Sequence, residues 1–270
     1  MVTAQAPTRP PSAAEGPARL ITIRFSHYCE KARWALDRAH IPYIEDAHPP
    51  IFSWAQTKRL PRARSVPVLV ANGKTYPDSN DILRYVDAHT PAYLQPLCMN
   101  AGEDEPLRKL FDESLGPAAR RFVYGYLLDD APVARRLLSS QGSKLERKLA
   151  YASFPVLREM IRRGLRIDAA GVERSRLVIE RVFGAVEERI KDGRPYLQGD
   201  AFTAADLSFA SLASPLVFPS AYETFSLPVS EGPRALVPFV DAFRRSPAGK
   251  FALSIYERER VPKRAVEVPS

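Results

Sequence analysis

Cysteine is scarce in this chain, with two residues among 270. So few thiols exclude a disulfide framework and a multi-thiolate zinc site. The four histidines show no metal-ligand spacing, so we expect no bound metal. Two thiols are compatible with a reducing compartment, and we expect a cytoplasmic protein.

Long apolar runs are also missing. No segment of about 18 uncharged apolar residues occurs, which argues against a membrane-spanning helix. The beginning of the chain has no apolar stretch of signal-peptide type. Residues 1–18 are rich in Pro, Ala and small polar residues, so we expect a disordered tail there and a frayed tail at residues 261–270.

Basic residues outnumber acidic ones by 39 to 31, which gives a formal net charge of +8. Such an excess raises the question of nucleic-acid or anionic-membrane binding. However, basic residues such as Arg158, Arg162 and Arg163 are interleaved with acidic ones along predicted helices, which is typical of a solvated surface. No base-stacking platform or groove-reading helix accompanies them, so we expect no nucleic-acid partner.

The length is sufficient for about two domains, and the sequence pattern changes near residue 90. Residues 19–90 alternate short strand-like runs with helical periodicity and contain Asn72-Gly73, a strong hairpin signal. The predicted order is βαβ, a connecting segment and ββα. Its predicted elements are strands at 20–25, 41–44, 67–70 and 74–76 and helices at 28–40, 51–59 and 81–88.

After a linker at residues 91–105, which contains two prolines, the pattern is helical throughout residues 106–260. The predicted helices cover 105–128, 132–163 with breaks at Gly142 and Pro155, 171–191, 203–216, 235–245 and 248–259. The predicted fold is therefore a small α/β domain followed by an all-α domain.

Ser26 lies where the first strand ends and the first helix begins. Backbone N–H groups and the positive end of the helix dipole meet at such a point, and they lower the pKa of a thiol held there. The Ser26 hydroxyl can donate a hydrogen bond to such a sulfur. From the local sequence alone, a plain helix N-cap is the favoured interpretation.

Two further segments of the α/β part can bind an extended, charged ligand. Val66-Pro67 precedes a strand, and a cis bond there would expose the Val66 backbone, although a trans bond is favoured locally. Asp78-Ser79 precedes a helix, where free N–H groups suit a carboxylate and Asp78 suits an ammonium group. In isolation this motif predicts only a helix cap.

Together and in this order, these motifs resemble the cytosolic glutathione transferases. Residues 26–36, Ser-His-Tyr-Cys-Glu-Lys-Ala-Arg-Trp-Ala-Leu, are similar to the family's active-site turn and first helix. The resemblance implies a thioredoxin-like domain over residues 19–90, glutathione as co-substrate and Ser26 as the catalytic residue. It also implies that Val66 and Pro67 contact the cysteinyl backbone of glutathione, whose γ-glutamyl end Asp78 and Ser79 hold.

A fourth motif lies in the helical part and argues for fold only. Thr203 and Asp206 have the spacing of a capping box, with Phe202 as the preceding hydrophobic residue. The resemblance further implies a homodimer, a detoxifying role and a small hydrophobic electrophile as second substrate. A positive net charge would help to attract glutathione, which is an anion.

The sequence also departs from the family pattern. His27 stands where cysteine-type members commonly have proline, and the segment before Pro67 lacks an Asn-Pro step, so Lys58, Arg62 and Arg64 all remain candidates for the glycyl carboxylate. Additional sequence around residues 130–170 leaves the electrophile unidentified.

Other roles also remain open. Cys29 is the rival nucleophile of a glutathione-dependent reductase, although it has no partner cysteine at position 26 and packing is its favoured role. A non-catalytic binding or scaffold protein is the remaining alternative. Trp34 and Trp54 are expected to pack. Four aromatic residues are expected in the core or along an apolar pocket: Phe209, Phe218, Tyr222 and Phe225.

Overall fold

The computed structural model describes residues 17–99, 104–223 and 226–260. Most of the expected N-terminal tail, residues 1–16, and all of the expected C-terminal tail, residues 261–270, lie outside these ranges, as does Phe225. The predicted linker includes residues 100–103, which are likewise outside. Within the described ranges, no helix combines the length and apolarity needed to cross a membrane.

A four-stranded mixed sheet forms the α/β part, with the strand order β2-β1-β3-β4. Its strands are β1 (Ala18–Thr22), β2 (Tyr43–Ala47), β3 (Val68–Ala71) and β4 (Lys74–Tyr76). β1 is parallel to β2 and antiparallel to β3, which in turn is antiparallel to β4. The predicted hairpin is confirmed: Asn72 and Gly73 both have positive φ, as a tight two-residue turn requires.

Helices of the α/β part begin and end close to their predicted positions. They are α1 (His27–Arg38), α2 (Pro50–Thr57) and α3 (Ser79–His89). α1 is unusual because nine of its twelve residues are buried, including the charged Glu30, Lys31 and Arg33. It packs against α3 on one side and against a helix of the second part on the other, so it has no broad solvent face.

The remainder of the described chain is helical, as predicted. Its helices are α4 (Asp104–Leu110), α5 (Gly116–Asp129), α6 (Ala131–Leu138), α7 (Lys144–Ala152), α8 (Phe154–Gly164), α9 (Ala169–Ile190), α10 (Ala204–Val217), α11 (Ser220–Glu223), α12 (Val237–Arg245) and α13 (Pro247–Glu259). The predicted interruptions near Gly142 and Pro155 are confirmed, since α7 is separated from both α6 and α8.

α10 is the core of the helical part, and all of its residues are buried. The predicted capping box is confirmed: the Thr203 N–H donates to Asp206 Oδ2 at 3.0 Å, and Asp206 Oδ1 also accepts from the Leu197 N–H at 2.7 Å. Phe202 is buried, and its ring stacks on that of Trp34 in α1, with 6.2 Å between ring centroids. This start of α10 therefore joins the two parts of the chain.

A single π-helical turn, Phe111–Leu115, separates α4 from α5 where one continuous helix was predicted. Asp112 in this turn accepts two hydrogen bonds from the buried Lys31 ammonium, at 2.7 and 2.9 Å, and one from Asn80 Nδ2 at 2.9 Å. Burial lowers the pKa of Lys31, and the Asp112 carboxylate opposes this change. The α/β part and the helical part are thus docked by a buried ion pair.

Replacement of one member of this pair leaves the other as an uncompensated buried charge. Asp112→Asn is therefore expected to reduce the free energy of unfolding by about 3–5 kcal/mol. The double variant Lys31→Met/Asp112→Leu, which removes both charges, should be less destabilised. Urea unfolding followed by circular dichroism measures both effects.

A matched control is Asp129→Asn, because Asp129 forms a surface ion pair with Arg162 and its side chain is 70% exposed. This change should leave the urea midpoint essentially unaltered. Equal destabilisation by Asp112→Asn and Asp129→Asn would contradict the role assigned to the buried pair.

Candidate functional site

All five residues predicted to form the site line one cavity of about 900 Å³ between the α/β part and the helical part. They are Ser26, Val66, Pro67, Asp78 and Ser79. The opposite wall comes from α5 and α8, with Tyr124, Leu157 and Ile161 among its residues. Three segments that are distant in sequence are therefore brought to a single space.

Ser26 stands at the N-cap of α1 with extended backbone (φ −78°, ψ 125°). Its side chain accepts no hydrogen bond from the helix N–H groups, so the plain capping role favoured by the local sequence is not what the structure shows. The carbonyl of Ser26 does accept the first helical hydrogen bond, from the Glu30 N–H at 2.9 Å. The residue is half-buried and lines the cavity.

Cys29 lies within α1, is fully buried and does not line the described cavities. Burial raises the pKa of this thiol to about 11, while the Arg33 charge and a hydrogen bond with Ser26 oppose the rise without cancelling it. At neutral pH the side chain is therefore a protonated thiol that packs inside the helix. The packing role predicted for Cys29 agrees with this environment.

The Val66–Pro67 peptide bond is cis, as in the family resemblance, and the trans bond favoured by the local sequence is wrong. Pro67 is buried and Val66 is half-buried, directly before β3. Asp78 caps α3 because its Oδ1 accepts from the Asp81 N–H at 2.9 Å, while the residue stays exposed. Asp78 thus serves as a cap and lines the cavity at the same time.

His27 and Tyr28, which follow Ser26, also line the cavity, and each forms a hydrogen bond to the helical part. His27 Nε2 donates to the Gly116 carbonyl at 3.1 Å, and the Tyr28 hydroxyl donates to the Asp112 carbonyl at 2.7 Å. Burial, aided by the charge of Arg120, lowers the pKa of His27 to about 3, so its imidazole is neutral. Burial also raises the pKa of Tyr28.

Gly116 explains how Tyr28 comes so close to α5. A Cβ at position 116 would overlap the Tyr28 hydroxyl, so only glycine fits below this ring. His27 and Tyr28 directly follow Ser26 in the motif at residues 26–36. Their position next to Ser26 is the sequence signal that could have identified them as site residues. Asp112 and Arg120 also line the cavity, but they lie outside every sequence motif.

The rim of the cavity corrects the sequence-based expectation for Trp54. Trp54, expected to pack, is 56% exposed and lines the cavity, with the Lys58 ammonium 4.9 Å from its ring centroid. Of the three basic residues considered for the glycyl carboxylate, Arg64 lines the cavity. Trp34 is buried as expected.

A smaller apolar cavity of about 50 Å³ adjoins this site, since Phe25, His27, Arg120 and Tyr124 line both spaces. Phe218 and Tyr222 line the smaller cavity, in agreement with the expectation that aromatic residues of this group line an apolar pocket. Phe209 belongs to the core instead.

Residues 20–94 match the family model of the glutathione S-transferase N-terminal domain. A comparison with curated proteins finds no match. Among solved structures, a glutathione S-transferase of Ceriporiopsis subvermispora in complex with glutathione is 18% identical with a TM-score of 0.62, and the match covers 93% of this chain and 100% of that one.

Two other solved structures have a TM-score of 0.51 and 16% identity. The beta-etherase LigF from Sphingobium is matched over 88% of this chain and 98% of its own. FzlA from C. crescentus is matched over 92% of this chain and 96% of its own. Likeness at these identities shows the fold: a thioredoxin-like domain with a small mixed sheet, followed by a mostly helical remainder. Residues 20–94 thus form a domain of the glutathione S-transferase N-terminal family, and the described chain has the glutathione S-transferase fold.

Proposed function

We propose that the protein is a glutathione transferase that uses Ser26 to stabilise the glutathione thiolate. The observation that carries this proposal is the convergence of Ser26, the Val66–Pro67 step and the Asp78–Ser79 pair on one cavity. Each segment offers a different part of glutathione a suitable partner. The glutathione named in the Ceriporiopsis structure supports the choice of ligand.

Glutathione would lie extended along the α/β wall. The Val66 backbone pairs with its cysteinyl backbone in the manner of an added strand. The Asp78 carboxylate binds the γ-glutamyl ammonium group, and Ser79 with the N-terminus of α3 binds the neighbouring carboxylate. Arg64 is the basic lining residue for the glycyl carboxylate.

This placement brings the thiol to Ser26 and the N-terminus of α1. The Ser26 hydroxyl donates to the sulfur, and the unpaired N–H groups of the first helical turn add a positive potential. A hydrogen bond to a charged group contributes about 1.5–3 kcal/mol, which corresponds to a pKa lower by about one to two units. The thiolate is thereby populated at neutral pH.

The reaction then takes place against the helical wall. The thiol proton leaves to solvent, the sulfur forms a bond to the electrophilic carbon, and the leaving group departs with its bonding electron pair. Tyr124, Leu157 and Ile161 provide apolar surface for the electrophile. Because these residues come from α5 and α8, the electrophile is selected by the helical part.

The alternatives are separated by chemistry. A reductase that uses Cys29 would need an exposed thiolate, whereas this thiol is buried and protonated. A scaffold protein would bind glutathione without turnover. The homodimer and the detoxifying role rest on the family resemblance, and the cytoplasmic location rests on the scarcity of cysteine and the missing signal-peptide pattern. All three stay predictions.

The burial of Cys29 gives a direct prediction for thiol reactivity. In the folded protein, iodoacetamide should modify the half-buried Cys98 first, and Cys29 should react only at the rate of unfolding. Mass spectrometry of timed samples with and without urea measures the two sites separately. Rapid modification of Cys29 in the folded state would favour the reductase.

Asp78→Asn tests the ammonium contact without loss of the helix cap, since asparagine caps helices as well as aspartate does. Glutathione affinity should fall about tenfold, as expected for the loss of a charge-assisted hydrogen bond, while thermal stability is maintained. Isothermal titration calorimetry provides the affinity. The matched control is Asp81→Asn, which removes the same charge in the same helix at a residue that does not line the cavity.

Ser26→Ala tests the thiolate contact. Glutathione should still bind with an affinity within about threefold of the original, while the pKa of the bound thiol rises by about one unit and turnover near pH 6.5 falls about tenfold. The pH profile of kcat with a panel of aryl halides and the ultraviolet spectrum of the bound thiolate provide the two readouts.

Cys29→Ala is the matched control and should retain turnover. If glutathione does not bind at millimolar concentration, the proposed function is wrong. If it binds while no panel member is turned over, the scaffold interpretation is favoured.

A further inference from the structure

Arg120 is a cation in the part of the site that faces the electrophile. It lies on α5 and lines both the large cavity and the smaller apolar one. Much of the surrounding wall is apolar or aromatic, including Tyr124, Leu127 and Phe218. A guanidinium group at the junction of these two spaces can bind an anionic group of a ligand.

Within the described ranges, Arg120 has no carboxylate partner, and its buried Nε has no hydrogen-bond acceptor. Neighbouring cations are satisfied in contrast. Arg121 donates from Nε to the Leu165 carbonyl at 2.8 Å and from Nη1 to Ser175 at 3.2 Å, and Lys31 is bound by Asp112. A buried donor without an acceptor destabilises the fold, so its retention calls for a functional explanation.

The groups that face Arg120 do not neutralise it. His27 is an uncharged imidazole, and burial keeps the hydroxyls of Tyr28 and Tyr124 protonated. Asp112 also lines the large cavity, but its carboxylate is occupied by Lys31 and Asn80. The positive charge of Arg120 is therefore available to a ligand in the cavity.

We propose that Arg120 is a specificity-determining residue that binds a carboxylate on the electrophile, so that the preferred second substrate is an apolar acid. A guanidinium can hold a carboxylate through two parallel hydrogen bonds, and Tyr124, Leu157 and Ile161 cover the apolar part of such a molecule. This inference rests on the proposed function, because glutathione must occupy the α/β wall. The role of Arg120 assigns a negative charge to the second substrate.

The test compares glutathione conjugates that differ only in one charge. S-(3-carboxybenzyl)- and S-(4-carboxybenzyl)glutathione are titrated calorimetrically into the full-length protein, together with the uncharged carbamoyl analogues. At least one acid should bind about 10-fold or more tightly than its amide, as expected for a charge-assisted pair in a partly buried site.

Arg120→Gln should abolish this preference and leave the affinity for the amide within about threefold. Arg120→Lys should retain part of it, since lysine keeps the charge and loses the paired geometry. Arg181→Gln, which removes an exposed cation of α9 that lines no described cavity, should leave the preference unchanged.

Glutathione itself is titrated in parallel, which separates the two proposals. If glutathione binds but acid and amide bind equally to the unmodified protein, the role of Arg120 is wrong and the proposed function stands. A preference that persists in Arg120→Gln overturns the role of Arg120 as well. If glutathione does not bind, both proposals fail.

Discussion

The ion pair between Lys31 and Asp112 is the constraint on which the rest of the site depends. An ammonium group without exposure to solvent must meet its carboxylate, and in this chain the two come from different parts of the fold. Compared with an apolar pair, such a contact adds little net stability, but it is satisfied in only one docked arrangement. It therefore sets the distance and angle between the two walls of the cavity.

A second buried network reinforces this arrangement at the far end of the chain. Arg260 binds Glu30 at 2.7 Å and Asp37 at 2.8 Å, and the Trp34 indole donates to the Glu259 carbonyl at 3.1 Å. Both networks begin on α1, which explains why so many of its charged residues lie inside. The helix that presents Ser26 is thus held from two sides.

Much of the site in the α/β part could be predicted because its signals are local. A strand end, a proline before a strand and a helix cap each have a short sequence pattern, and their order supplied the family resemblance. Burial of Lys31 and Arg33 could not be predicted, since charged side chains are ordinarily assigned to solvent, whereas in the structure Asp112 of the π-helical turn binds Lys31 and Glu45 of β2 binds Arg33. Arg120 and Tyr124 lie beyond local prediction, because only tertiary packing brings α5 to the Ser26 turn. Trp54 differs from expectation for the opposite reason, as the residue stays 56% exposed in the described chain.

The π-helical turn Phe111–Leu115 has a consequence for how the helical wall can change. A π turn accommodates one more residue than an α turn, and one residue corresponds to a rotation of about 100° around the helix axis. Everything that follows the turn in α5 is therefore out of phase with α4 by that angle. Loss of a single residue here would rotate Gly116 away from Tyr28 and Arg120 away from the cavity together. The rotational phase of α5 therefore decides which of its side chains, Arg120 among them, face a second substrate in the cavity.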